Sequence, residues 1–89
     1  MIRKEVTILN KLGLHARAAS HLVKTASGFK SRITVEKGGA SANAKSIMGL
    51  MLLAAARGQT VTVCTDGEDE AAAMVAVEEL IFNRFHEEQ

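Results

Sequence analysis

The chain has 89 residues, of which 47% are hydrophobic, and this predicts one domain over 1–89 with a modest core. The formal net charge of +1 gives no electrostatic footprint for nucleic acid or anionic lipid, and the three aromatics, all Phe, exclude a base-stacking platform. Cys64 is alone, so no internal disulfide forms.

The opening "MIRKEVTILN" carries charges but no long apolar stretch behind them, so it does not read as a signal peptide. "EVTIL" reads as the first strand, with Val6 and Ile8 on one face. "NKLG" breaks it. From Ala16 the apolar positions Ala19, Leu22, Val23 and Ala26 have helical spacing. Gly28 suits a left-handed cap, and Phe29 is expected to fold back onto the core. "SRITVEK" alternates again, with Ile33 and Val35 inward, and "KGG" signals a hairpin into a short strand carrying Ala40, Ala42 and Ala44.

Ser46 is a candidate N-cap for the next apolar run, in which Leu50, Leu53 and Ala54 form the buried face. Gly58 is expected to end that helix, with Arg57 at its negative dipole end. The run "IMGLMLLAAA" at 47–56 is far shorter than the roughly 20 residues that span a bilayer. "TVTVCT" is the fourth strand, with Val61 and Val63 inward. "DGEDE" gives a turn and a solvated acidic helix start, and Ala73, Met74, Val77, Leu80 and Ile81 form the stripe of the last helix. "FHEEQ" is read as a frayed tail. The order strand, helix, strand, strand, helix, strand, helix predicts an α+β sandwich, its helices on one face of an antiparallel-rich sheet. The other sheet face is expected to meet water, since "KEVTI" and "RITVEK" carry charged or hydroxylated alternate positions.

The chemistry concentrates in "NKLGLHARAAS", residues 10–20. A helix starting at Ala16 leaves the amides of Ala16, Arg17 and Ala18 without internal partners, and the macrodipole adds partial positive charge. That arrangement suits phosphate, and Arg17 adds a planar, permanently charged fork. The same surroundings disfavour a charged imidazole at His15, so its pKa is expected to fall below about 6.5. A neutral imidazole can attack as a nucleophile, and the adjacent dipoles can then hold a transferred phosphoryl group. The plainer alternative is a surface or capping histidine.

At these residues the sequence resembles the histidine-containing phosphocarrier family, HPr and its nitrogen-related paralogue NPr, of the bacterial phosphoenolpyruvate-dependent phosphotransferase system. The blocks "GLHARAA" and "KSIMGLMLLAAARG" carry the likeness, with "DGEDE" as a third, and it covers nearly the whole chain. The resemblance implies an open-faced β-sandwich with a four-stranded antiparallel sheet and three helices on one face. It implies that His15 accepts a phosphoryl group on Nδ1 from enzyme I and passes it to an enzyme IIA domain, with Arg17 interacting with that group. It also implies that Ser46 is the serine phosphorylated by HPr kinase/phosphorylase. One departure stands out. The family commonly has proline where this chain has Ala18, which gives up rigidity, restores an amide donor and is expected to tune phosphoryl affinity.

Serine before an apolar helix is usually just a cap, although a phosphoserine there is electrostatically well placed and would repel an acidic partner. Met48 and Met51, three residues apart, share a face away from Leu50 and Leu53. With Ile47 and Ser20 they form the expected partner-docking surface, where flexible thioethers suit several partners. No metal site is expected, since His21 lies six residues from His15, His86 falls in the tail and a lone cysteine cannot complete a zinc site. No cofactor is expected either. The expected reading is a cytoplasmic, monomeric phosphoryl carrier, not an independent enzyme. NPr-type carriage and a phosphorylation-dependent regulatory module are the alternatives.

Overall fold

In the computed structural model, which describes residues 1–87, alternating apolar residues build one antiparallel sheet of four strands. The elements are β1 (Ile2–Thr7), α1 (Ala16–Ala26), β2 (Arg32–Lys37), β3 (Ala40–Asn43), α2 (Ile47–Leu52), β4 (Thr60–Asp66) and α3 (Glu70–Phe82). The spatial order is β1-β4-β2-β3, and the helices pack on one face, giving the expected α+β open-faced sandwich. Register Val6↔Val61 and Val35↔Val63 stacks the inward row, and Ile33, Val35, Val61 and Val63 are buried beneath the helices. The stripe Ala73, Met74, Val77, Leu80 and Ile81 closes the core from α3.

The open face meets water as expected. There Arg3 pairs with Glu36 at 3.0 Å and lies 3.1 Å from the Cys64 thiol. Lys4, by contrast, falls on the helix-facing row with Val6. It escapes burial because β1 is an edge strand, so its amine reaches Glu78 of α3 at 3.2 Å.

Several boundaries differ from the sequence reading. Gly28 does not adopt a left-handed conformation, and α1 instead ends through tightened turns, with Gly28 N donating to Thr25 O and Phe29 N to Ala26 O. Phe29 does pack against the core. Helix α2 stops well before Gly58. Ala54 turns the chain at φ +52 and is exposed rather than buried, while Leu53 and Ala55 enter the core. Arg57 therefore lies beyond the dipole end, and Lys37 of β2 takes that role, donating to the carbonyls of Leu53 and Ala54 at 3.1 and 3.0 Å. Gly58, at φ +87, instead forms part of the turn into β4.

The acidic start of α3 is not simply solvated. The Asp69 carboxylate accepts from Lys30 N, Ser31 N and Ser31 Oγ, clamping the loop before β2 to the head of α3. The tail is not frayed up to Glu87. Arg84–His86 form a single 3-10 turn that buries Phe85 to 1% exposure. Glu88 and Gln89, the rest of the expected tail, lie outside the described residues.

The hydrogen bond from the Ser31 hydroxyl, with those from the Lys30 and Ser31 amides, holds the Asp69 pKa at about 2 against an ordinary 3.8. A folded-state pKa below the unfolded value stabilises the fold fully above the unfolded value, and that stability is lost as pH falls through the folded one. The Asp69→Asn variant should be less stable at neutral pH. Its acid denaturation limb between 3.8 and about 2 should also be flatter, as measured by urea unfolding across pH.

Candidate functional site

The site begins where β1 ends. Ile8 continues the edge pairing irregularly, its amide donating to Gln59 O and its carbonyl accepting from Gly58 N. The chain then turns over residues 10–13. Gly13 N donates to Asn10 O, and the Asn10 side chain donates back to Gly13 O at 2.6 Å. Gly13 sits at φ +64, and a Cβ there would lie 2.3 Å from Ala55 O. Leu14 N donates to that same carbonyl at 2.9 Å, and the Leu14 side chain is buried. These contacts deliver His15 to the mouth of α1.

His15 occupies the N-cap position in extended conformation, but its side chain makes no capping bond. Its ring instead meets the Glu87 carboxylate through Nε2. Ala19 N donates to His15 O at 2.8 Å as the first closed turn. The amides of Ala16, Arg17 and Ala18 thus precede the intrahelical ladder and stay open, as expected from the helix start. Arg17 and Ala16 are exposed, while the Ala18 side chain is fully buried.

Glu87 is bound on both oxygens. Oε1 accepts from Asn10 Nδ2 at 2.9 Å, and Oε2 meets His15. Partial burial works against its charge, but hydrogen bonds from Asn10 and His15, with attraction to His15 and Arg17, outweigh it and keep its pKa below the ordinary carboxylate value. His15, Arg17, Asn10 and Glu87 therefore share one electrostatic neighbourhood. The sequence reading missed Asn10 and Glu87. Asn10 is fully buried, and its amide oxygen has no partner among the described residues. The buried Phe85, which holds Glu87 in place, was the available signal, since a lone Phe in a polar tail marks an anchor. His86 also leaves the tail and packs edge-on against His21, with ring centroids 6.0 Å apart.

The other expected residues lie on or beside α2, which packs against α1. Ser46 is the N-cap, and its hydroxyl accepts from Gly49 N at 3.1 Å. Ile47, Met48 and Met51 are exposed, Met48 to 70%, and Leu52, which sequence reading did not single out, to 80%. Ser20 is exposed on α1. Among the described residues no cluster of three metal-ligating side chains occurs, and no helix is long and apolar enough to cross a membrane.

The model of the PTS HPr component phosphorylation site matches residues 2–83. The chain belongs to the HPr family. This chain is similar to the phosphocarrier protein HPr of Xylella fastidiosa, at 54% identity over 99% of both chains. It is also similar to the phosphocarrier protein NPr of Shewanella violacea, at 43% identity over 97% of this chain and 94% of that one. A crystal structure of HPr from Thermoanaerobacter tengcongensis superposes with a TM-score of 0.95 at 46% identity, covering all of both chains, and another of that protein is described as a dimer.

The close approach at Gly13 makes a local prediction. Gly13→Ala combines a left-handed backbone with a clash against fixed backbone, and should cost about 2 kcal/mol or more in chemical denaturation. It should also shift the imidazole resonances of His15, because the turn that presents it must move.

Proposed function

We propose that this chain is a single-domain phosphocarrier in which His15 accepts a phosphoryl group from enzyme I and passes it to an enzyme IIA domain. The observation that carries the reading is a partly exposed imidazole held at the open N-terminus of α1. The Nδ1 lone pair attacks phosphorus, and the bond to the donor breaks with its electron pair returning to the donor. The amides of Ala16, Arg17 and Ala18 and the Arg17 guanidinium then take the phosphoryl oxygens. The reading requires neither cofactor nor metal, and the chain acts as a protein substrate in turn rather than as an independent enzyme. Its place is the cytoplasm.

The greater likeness to HPr than to NPr favours the HPr branch. In that branch Ser46 is a candidate for HPr kinase/phosphorylase, and a phosphate there would set negative charge beside the exposed apolar residues of α2. Ile47, Met48, Met51 and Ser20 form the docking surface for enzyme I and enzyme IIA. The carrier works as a monomer, because each partner must reach His15. A stable dimer in light scattering at working concentration would oppose that assignment.

Incubation with phosphoenolpyruvate and enzyme I should add one acid-labile phosphoryl group, seen by intact mass and absent from His15→Ala. The nitrogen-related enzyme I should do so more slowly, and the reverse preference would assign the NPr branch. Failure with both active donors would overturn the carrier reading. Met48→Glu should keep the unfolding midpoint but slow phosphorylation roughly tenfold, as expected for a charge placed at the centre of an apolar contact.

A further inference from the structure

The carrier reading uses the exposed face of α2, which packs on β3, and leaves the opposite edge of the sheet without a role. We propose that this edge, β1 with the groove beside α3, binds an extended segment of a partner protein in which apolar residues alternate with lysine or arginine. The segment joins the sheet as a fifth strand.

β1 pairs with β4, and among the described residues no strand covers its other side. Ile8 turns both backbone groups towards the β4 side, its amide donating to Gln59 O and its carbonyl accepting from Gly58 N. Successive residues of an antiparallel strand alternate in this direction, so Thr7 and Glu5 turn their donors and acceptors outward. Beside them a groove of about 470 Å³ runs between β1 and α3. Val6 and Ile81 line it, and Val75 and Phe82 flank it from α3, 54% and 73% exposed. Strand addition needs both features. Open backbone groups supply affinity, and apolar recesses take alternate side chains of the incoming chain.

Charge decides the occupant. On the open face Arg3 pairs with Glu36, and at the groove Lys4 pairs with Glu78. Glu5 on β1 and Glu79 on the groove's rim are exposed and have no ion-pair partner among the described residues. An incoming chain therefore meets net negative charge. A second copy docking about a two-fold axis brings the same acidic surface to itself, and like charges oppose it. A segment with lysine or arginine at alternate positions offers Glu5 and Glu79 the charge they lack, while its apolar row fills the groove.

The probe is a short blocked peptide in which valine and lysine alternate, set against its counterpart with glutamate in place of lysine. The lysine peptide should shift the amide resonances of Val75 and Phe82. At ten times its dissociation constant it should slow hydrogen exchange of the Glu5 and Thr7 amides about tenfold, since the free fraction falls by that factor. Phe82→Asp should weaken binding about tenfold by removing an apolar anchor, and Glu79→Lys about fivefold by reversing a rim charge. Both side chains are exposed, so the thermal midpoints should stay near that of the wild type. No shift at millimolar peptide, equal binding of the glutamate counterpart, or binding that leaves Glu5 and Thr7 exchange unchanged each overturns the proposal. A dimer that protects those two amides without peptide makes a second copy the occupant and overturns it too. His15 takes no part in this test, so its outcome is separate from that of the phosphorylation experiment.

Discussion

Gly13 runs so close past the Ala55 carbonyl that no side chain fits between them, and Leu14 N then donates to the same oxygen. This joint ties the segment entering α1 to the segment leaving α2. A hydrogen bond between two backbones tolerates little displacement, so the start of α1 is located by a neighbour distant in sequence rather than by α1 alone. The residues around it serve the same end. Asn10 brackets Gly13 from inside the turn, and Lys37 ties the carbonyls of Leu53 and Ala54 to β2. Thus His15 sits on a loop that leaves the sheet at one end and is fastened at the other to the segment following α2.

The opposite side of the site is fastened by strain that burial offsets. Arg84, Phe85 and His86 all have positive φ, a conformation that costs L-residues roughly 1–2 kcal/mol each. Such a turn persists only where its surroundings over-determine it. Here Phe85 is buried, the His86 and Glu87 amides close the turn, and the Glu87 side chain is held by Asn10. The segment that reaches His15 is therefore a packed part of the molecule, and the carboxylate it carries has a defined place. Opposite charges meet at the ring from two directions: the positive end of α1 with Arg17, and the negative Glu87.

Much of this was legible from periodicity. Strands with two-residue alternation and the α3 stripe lie where their apolar positions place them, because burial of those faces decides both element and orientation. The blocks around His15 and Ser46 carried the family. What escaped were the long-range polar contacts. Nothing local in "DGEDE" says that Asp69 clamps Lys30 and Ser31, and nothing in "NKLG" says that Asn10 reaches Glu87. The end of α2 was misplaced for a similar reason: its closing cation is Lys37, from a strand, while the expected Arg57 lies nearer in sequence. Lys4 shows the limit of alternation itself, since an inward row at an edge strand can still send a charge to water.

Helix α2 brings these constraints to bear on function. Six residues are too few for a helix to stand alone, so its ends and its buried residue decide whether it exists. Ser46 closes one end, Lys37 the other, and Leu50 with the following Leu53 fastens it to the core. None of this requires Ile47, Met48, Met51 or Leu52 to be apolar, yet they are, and they face solvent. Apolar side chains grouped on one short helix are costly to leave in water and gain by being covered. Because α2 packs against α1, any partner that covers them in the proposed role also lies beside the helix that begins at His15. The cap and the docking surface then share one helix, so a phosphate on Ser46 would retain acceptors for Gly49 N while changing the charge that the partner meets. Regulation at that serine would act through the partner's approach and leave the geometry of His15 intact.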